Sequence, residues 1–108
     1  MSGFEGLGFI IEEMDGIRDM LLVSGFYSIQ ENMIHKIKEL ANSANRCGLE
    51  QGGLLLEKIA KGLEAKRHAL DYDFKELTND FFKLNLYVEA IKKKMELMSI
   101  QESLMEKN

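Results

Sequence analysis

The sequence has 108 residues, of which 45% are hydrophobic and 30% are charged, and its net charge is −4 at pH 7. This composition is that of a globular chain and excludes a disordered one, and the length fits one domain. The acidic balance argues against nucleic acid as the main partner, because phosphate binding needs clustered lysine and arginine. We therefore expect residues 1–108 to fold as a single domain.

The single cysteine and the N-terminal sequence indicate the cellular compartment in which the protein is expected. Cys47 is the only cysteine, which excludes an intramolecular disulfide and a zinc or iron–sulfur site made of several cysteines. The segment 1–11 lacks a basic start and contains Glu5, so it is unlike a signal peptide. No apolar run approaches the roughly 20 residues that span a bilayer. These features predict a cytoplasmic protein without a membrane partner.

The apolar spacing predicts a first helix over about 4–23. Its apolar residues recur at alternating intervals of three and four, which places them on one helical face: Leu7, Ile10, Met14, Ile17 and Leu21. Gly25 follows the last of them and is a typical helix stop.

A second helix is predicted to begin at a capping box formed by Ser28 and Glu31. It ends at Gly48, and its buried stripe is expected to contain Met33, Ile37, Leu40, Ala44 and Cys47. A third helix is predicted over about 50–70. Its buried face is expected to contain Leu56, Ile59, Leu63 and Leu70, flanked by Leu55 and Ala60.

The fourth predicted helix begins at Asp73, with Glu76 as the other half of a second capping box. Its stripe has the heptad spacing of a coiled coil: Phe74, Leu77, Phe81, Leu84, Val88, Ile91, Met95 and Met98. The chain contains no proline to kink a helix, and short connections favour antiparallel neighbours. The predicted fold is therefore an all-α, antiparallel (up-down-up-down) four-helix bundle with a long C-terminal helix.

The fourth helix is predicted to be longer than its partners. If it continues to Lys107, it spans about 50 Å, whereas the other three span about 30 Å at 1.5 Å per residue. Residues 97–108 then protrude or form an interface, because uncovered apolar side chains often mark a contact surface. The interface candidates are Leu97, Met98, Ile100, Leu104 and Met105. The alternative is a helix that breaks near Ser99, followed by a tail that folds back or frays.

The polar residues do not assemble a recognisable catalytic or metal motif. His35 and His68 each lie four residues from a glutamate, whereas di-iron bundles use a three-residue Glu-x-x-His spacing. Both are interpreted as solvent-facing pairs, although any further role is left open, and Cys47 is interpreted as a buried, inert thiol. We expect no catalytic residue, no cofactor site and no metal site.

Two further patterns have structural interpretations. Three lysines at 92–94, and a second basic group at Lys61, Lys66 and Arg67, are interpreted as solvated faces. The aromatic cluster of Phe81, Phe82 and Tyr87 is interpreted as core, with Phe82 widening the buried face.

Residues 11–70 carry a family resemblance. They read IxEMDxIRDMLLVSG and then SIQENMIHKIKELANSANRCGLEQGGLLLEKIAKGLEAKRH, with an E-L-A run, a G-L turn and a leucine-rich helix. This pattern resembles helical regions that accompany SWIM zinc-finger domains in some bacterial proteins. The zinc finger itself is absent, since one cysteine cannot supply its ligands, so no functional residue carries over. The resemblance implies a helical accessory module that works beside another chain.

The leading functional hypothesis is a non-enzymatic helical protein–protein interaction module: an adaptor, a regulator or a small chaperone-like subunit. The expected partner is another protein or a second copy of the chain, giving a homo-oligomer. Two alternatives stay open at this point. One is a bundle that binds a metal or a small ligand, and the other is an RNA-binding component of a system like a toxin–antitoxin pair.

Overall fold

The computed structural model describes residues 3–106, and it describes side-chain burial for residues 6–105. Four α-helices account for most of this range: α1 (Gly3–Ser24), α2 (Glu31–Arg46), α3 (Glu50–Arg67) and α4 (Lys75–Glu106). No strand is present between residues 3 and 106, so the predicted all-α fold class is confirmed. Lys107, the predicted end of the last helix, lies outside the described residues.

The helices form a ring in which α1 packs on α2, α2 on α3, α3 on α4, and α4 on α1. Contacts show that α2 and α3 run in opposite directions. Lys38 of α2 pairs with Glu64, far along α3, whereas Gly53 at the start of α3 lies against Asn45 near the end of α2.

The same logic applies to α1 and α4. Arg18 of α1 reaches Glu89, whereas Gly8, ten residues earlier, lies beside Met95, further along α4. These antiparallel contacts confirm the predicted up-down-up-down bundle with a long C-terminal helix. The molecule is elongated, with dimensions of 62 × 23 × 20 Å.

The core lies between the helices and receives side chains from all four. Its helical members are at most 9% exposed: Ile10, Met14, Ile17, Leu21, Ile34, Ile37, Ala41, Ala44, Leu56, Ile59, Ala60, Leu63, Leu77, Phe81, Leu84 and Val88. Ile29 joins them from the α1–α2 connection. Burying each leucine or isoleucine stabilises the fold by about 1.5–3 kcal/mol before the entropy of ordering is subtracted.

Two predicted core residues are exposed because their helices end earlier than expected. Cys47 is the C-terminal cap of α2, and its free thiol is exposed. After it the chain turns away through Gly48, whose φ of +85° is left-handed. The Leu49 N–H donates to the Ala44 carbonyl at 2.9 Å, which completes a Schellman motif. Leu70 lies beyond the end of α3 at Arg67 and is fully exposed.

The first predicted capping box is wrong, and the second is shifted. The Ser28 hydroxyl donates back to the Ser24 carbonyl at 3.1 Å, so α2 begins at Glu31 without a side-chain cap. The burial of Ile29 explains this choice, because it ties the connection to the core. At the start of α4, Asp73 Oδ1 accepts the Lys75 N–H at 3.0 Å, whereas the predicted capping box has it accept the Glu76 N–H, and the helix begins at Lys75 rather than at Asp73.

A glycine substitution tests how closely α2 and α3 approach. A Cβ at Gly53 would lie 2.9 Å from the Ala41 carbonyl oxygen, a backbone atom that cannot swing away. We expect Gly53→Ala to lower the free energy of unfolding by about 1–3 kcal/mol in urea denaturation. Gly16→Ala is the matched control, since a Cβ there meets nothing within 4 Å and should stabilise α1 by up to about 1 kcal/mol. Equal effects of the two variants would contradict this packing.

Candidate functional site

The burial of the α4 core face fades toward its C-terminus. Leu84 and Val88 are at most 1% exposed, Ile91 and Met95 are half-buried, and Met98 is 38% exposed. All five belong to the heptad-spaced core stripe, so this apolar spacing continues along α4 past the turns that the other helices bury.

The neighbouring helices explain where the cover ends. Gly52, near the start of α3, lies so close to Tyr87 that a Cβ there would approach its ring to 2.7 Å. Beyond that level α3 contributes no further turns. On the other side of α4, Gly8 of α1 lies opposite Met95. Because α1 and α4 are antiparallel, the described start of α1 at Gly3 lies near the level of Ile100. The remaining turns of α4, to Glu106, pass the described start of α1 by about 9 Å.

The five predicted interface residues lie on α4 between residues 97 and 105: the first three are beside the start of α1, and Leu104 and Met105 lie past its described start. Their exposed fractions are 62% for Leu97, 38% for Met98, 56% for Ile100, 60% for Leu104 and 75% for Met105. At 3.6 residues per turn they divide between two faces. Met98 and Met105 lie nearer the face that continues the core, whereas Leu97, Ile100 and Leu104 point away from the bundle.

A second set of exposed residues extends the outward face along α4. Phe82 is five turns before Ile100, and Leu86 is five turns before Leu104, so each pair points in one direction. Phe82 is 60% exposed and Leu86 is 71% exposed. We call these five residues the outer stripe: Phe82, Leu86, Leu97, Ile100 and Leu104. The prediction that Phe82 widens the buried face is therefore wrong, because it lies on the side opposite the core.

A cluster of charged side chains joins α1 to α4 on the N-terminal side of the exposed last turns of α4. The Arg18 side chain, 11% exposed, donates to Asn85 Oδ1 at 2.8 Å and to Glu89 Oε2 at 2.9 Å. It also pairs with Asp15 of its own helix, and Asp15 in turn accepts a hydrogen bond from Lys92 Nζ at 3.1 Å. The sequence pattern gave no sign of this cluster, since Arg18 and Glu89 are distant in the chain.

The ion pairs shift the pKa values of Arg18, Glu89 and Lys92 in the direction of their charged forms. The Arg18 guanidinium holds the pKa of the Glu89 carboxyl below its ordinary value of 4.5, mainly through the hydrogen bond. Glu89 raises the pKa of Arg18, and Asp15 raises the pKa of Lys92 by the same kind of bond. The cluster is thus a charged clasp that sets the register between α1 and α4.

The two histidines and the cysteine lie apart at the surface. His35 is exposed and pairs with Glu39 of the next turn at 2.9 Å, while His68 is the exposed C-terminal cap of α3. Cys47 is exposed, so its interpretation as a buried thiol is wrong. In the part of the chain that the structure describes, no three His, Cys, Asp or Glu side chains are grouped closely enough to hold a metal ion.

Several of the lysines are engaged within the fold. Lys66 Nζ donates to the carbonyl oxygens of Phe26 and Tyr27 at 2.9 Å each, which ties the end of α3 to the α1–α2 connection. Lys38 pairs with Glu64, and Lys92 with Asp15.

Among the described helices, none has a stretch long and apolar enough to cross a membrane.

Comparison with known proteins gave no relative: no family model, no curated protein and no solved structure matches this chain. The resemblance of residues 11–70 to helical regions beside SWIM zinc fingers stays a prediction.

The lowered pKa of Glu89 predicts a specific pH dependence. A carboxyl whose pKa is depressed on folding stabilises the fold above its ordinary value, and that contribution is lost as the pH falls below 4.5. We expect Glu89→Gln to reduce the loss of stability between pH 7 and pH values below 4.5, measured by urea denaturation. Glu96→Gln, one heptad further along the same exposed edge, is the control and should leave that loss unchanged. An unaltered loss in Glu89→Gln would contradict the clasp.

Arg18 gives a second test of the clasp, at neutral pH. We expect Arg18→Met, which keeps the buried stem and removes the charge, to lower the free energy of unfolding by about 1–3 kcal/mol. Lys36→Met is the comparison, because Lys36 is exposed on α2. A loss no larger than that of Lys36→Met in denaturant unfolding would show that the clasp adds nothing to stability.

Proposed function

We propose that the chain is a non-enzymatic helical protein–protein interaction module: an adaptor, a regulator or a small chaperone-like subunit. It associates with protein, most readily with further copies of itself, through the C-terminal turns of α4. The observation that carries this proposal is the run of apolar side chains that α4 exposes from Leu97 to Met105, of which Leu104 and Met105 lie beyond the described start of α1.

The chemistry of these turns supports association. Covering a leucine or isoleucine that is about 60% exposed contributes about 1–2 kcal/mol to association. Scattered apolar residues are normal on protein surfaces. Here five of them lie within nine consecutive residues of one helix: Leu97, Met98, Ile100, Leu104 and Met105. A neighbour that covers them gains this free energy at each side chain.

The helical form of these turns also supports a contact role. A helix that presents apolar residues at intervals of three and four is the shape that another helix or an apolar groove recognises. The sequence keeps that spacing at Leu97, Ile100 and Leu104, where the fold of the single chain does not require it. A solvated helix end would be as stable with polar residues at these positions.

A triple substitution tests the proposal. We expect the wild-type chain to associate in sedimentation equilibrium at micromolar concentrations. Leu97→Gln, Ile100→Gln and Leu104→Gln together should raise its dissociation constant at least about tenfold, which corresponds to about 1.4 kcal/mol. Glutamine is a good helix former, so α4 should be retained, as the circular dichroism at 222 nm would show.

The control carries the same change at three exposed apolar residues elsewhere: Leu22→Gln, Val23→Gln and Leu54→Gln. It should associate as the wild type does. A wild-type chain that stays monomeric at high micromolar concentration would contradict the proposal, and so would equal weakening by both triple variants.

A further inference from the structure

We infer, building on the proposed function, that the outer stripe of α4 is covered by the outer stripe of a second copy, with the two α4 helices parallel and in register. The contact would be a two-stranded coiled coil on the side of α4 that faces away from its own core. The length of the stripe and the charges at its edges support this arrangement.

The outer stripe has the spacing that helix pairing needs. From Leu86 onward, α4 presents an outward residue at alternating intervals of four and three: Leu86, Ala90, Lys93, Leu97, Ile100 and Leu104. This is the a/d pattern of a coiled coil, repeated on the surface of a helix whose core face already has one. Because the two faces are opposite, a partner helix on the outer stripe leaves the bundle core undisturbed.

The length of the stripe favours a partner that covers all of it. Stable protein interfaces bury about 1,200–2,000 Å² in total. An antiparallel partner centred between Met98 and Ser99 would overlap only the last four turns of α4 and leave Phe82 and Leu86 exposed. A parallel partner in register covers the stripe from Phe82 to Leu104, about 33 Å of helix.

Charges at the edges of the stripe also favour the parallel arrangement. Glu89 and Glu96 lie along one edge, whereas Lys94 lies along the other. In a parallel pair the acidic edge of each helix meets the opposite edge of its partner, so that Glu89 faces Lys94 of the second copy. Although Glu89 bonds to Arg18, half of its side chain stays exposed and can serve both charges.

An antiparallel pair of the same full length has the opposite electrostatics. If this antiparallel pair is centred on Met95, each edge of the outer stripe meets the same edge of the second copy. Lys94 then faces Lys94, and Glu96 faces Glu96. Like charges that face each other across a helix interface are unfavourable.

Lys93 weakens the pairing. In the parallel register the two Lys93 side chains meet near the middle of the contact, between the layers of Ala90 and Leu97. Bringing two like charges together in the contact weakens the coiled coil. The pair should therefore be reversible, at micromolar rather than nanomolar concentrations.

Disulfide trapping tests the register directly. In a Cys47→Ser background, Ala90→Cys places one thiol on the outer stripe, where the two copies face each other at the same residue. We expect it to form a covalent dimer in a glutathione redox buffer at least about tenfold faster than Ser99→Cys, which is exposed on another face of α4. The Leu97, Ile100 and Leu104 triple glutamine change should abolish the difference.

The outcomes separate this inference from the proposed function. If the wild type associates in the centrifuge more tightly than the triple glutamine variant, but Ala90→Cys and Ser99→Cys crosslink equally slowly, the parallel register is wrong and association through α4 stands. If the chain stays monomeric at high micromolar concentration, both are wrong.

A charge reversal gives a second, independent readout. Lys94→Glu places like charges opposite Glu89 of the second copy, so we expect a dissociation constant raised about tenfold at low ionic strength and less at high salt. Lys36→Glu makes the same change in net charge on α2, away from the stripe, and should leave association near that of the wild type. Equal effects of the two reversals would overturn the edge pairing.

Discussion

A helix can be covered only over the length of the helices beside it, and this constraint shapes the whole molecule. The 32 residues of α4 face 22 in α1 and 18 in α3. The bundle therefore closes around the first half of α4, where Leu77, Leu84 and Val88 are at most 1% exposed. Past Tyr87 α3 ends within about one turn, while α1 continues beside α4 as far as the level of Gly3, beyond which none of the described helices lies beside it.

The register between α1 and α4 decides how far the uncovered turns project. Arg18 fixes that register by reaching across to Asn85 and Glu89, while Lys92 returns a bond to Asp15. A shift of α1 by one turn would move these partners about 5.4 Å apart and break the clasp. The charged cluster thus sets the position of the exposed apolar end of α4 relative to α1.

The sequence predicted the helices well because their signals are local and periodic. Each core stripe repeats at intervals of three and four, and glycines at 25 and 48 end two helices with positive φ angles. The exposure of the last turns of α4 was also predictable, since it follows from comparing helix lengths.

Other features depended on packing that a single sequence does not reveal. Ser28 had two acceptable hydrogen-bond arrangements, and the burial of Ile29 selected the one that bonds back to α1. Cys47 and Leu70 fit the apolar period of their helices but lie at or beyond the ends, so periodicity alone placed them wrongly. Phe82 was assigned to the core for its aromatic neighbours, although its place four residues before Leu86 and five turns before Ile100 was a signal for the outer face.

The Arg18 clasp joins residues more than 60 positions apart and had no local signal. Charges on two helices show a match only after the register between those helices is known. The electrostatic part of the candidate site was therefore beyond sequence reasoning, whereas its apolar part was within reach.

The most direct measurement is amide hydrogen exchange along α4 as a function of protein concentration. If the last turns are covered by another copy, amides of residues 97–104 should exchange more slowly as the concentration rises through the micromolar range. Amides around Leu84, inside the bundle core, should not change. Exchange in residues 97–104 that is fast and independent of concentration would contradict the central claim that this end of α4 is a contact surface.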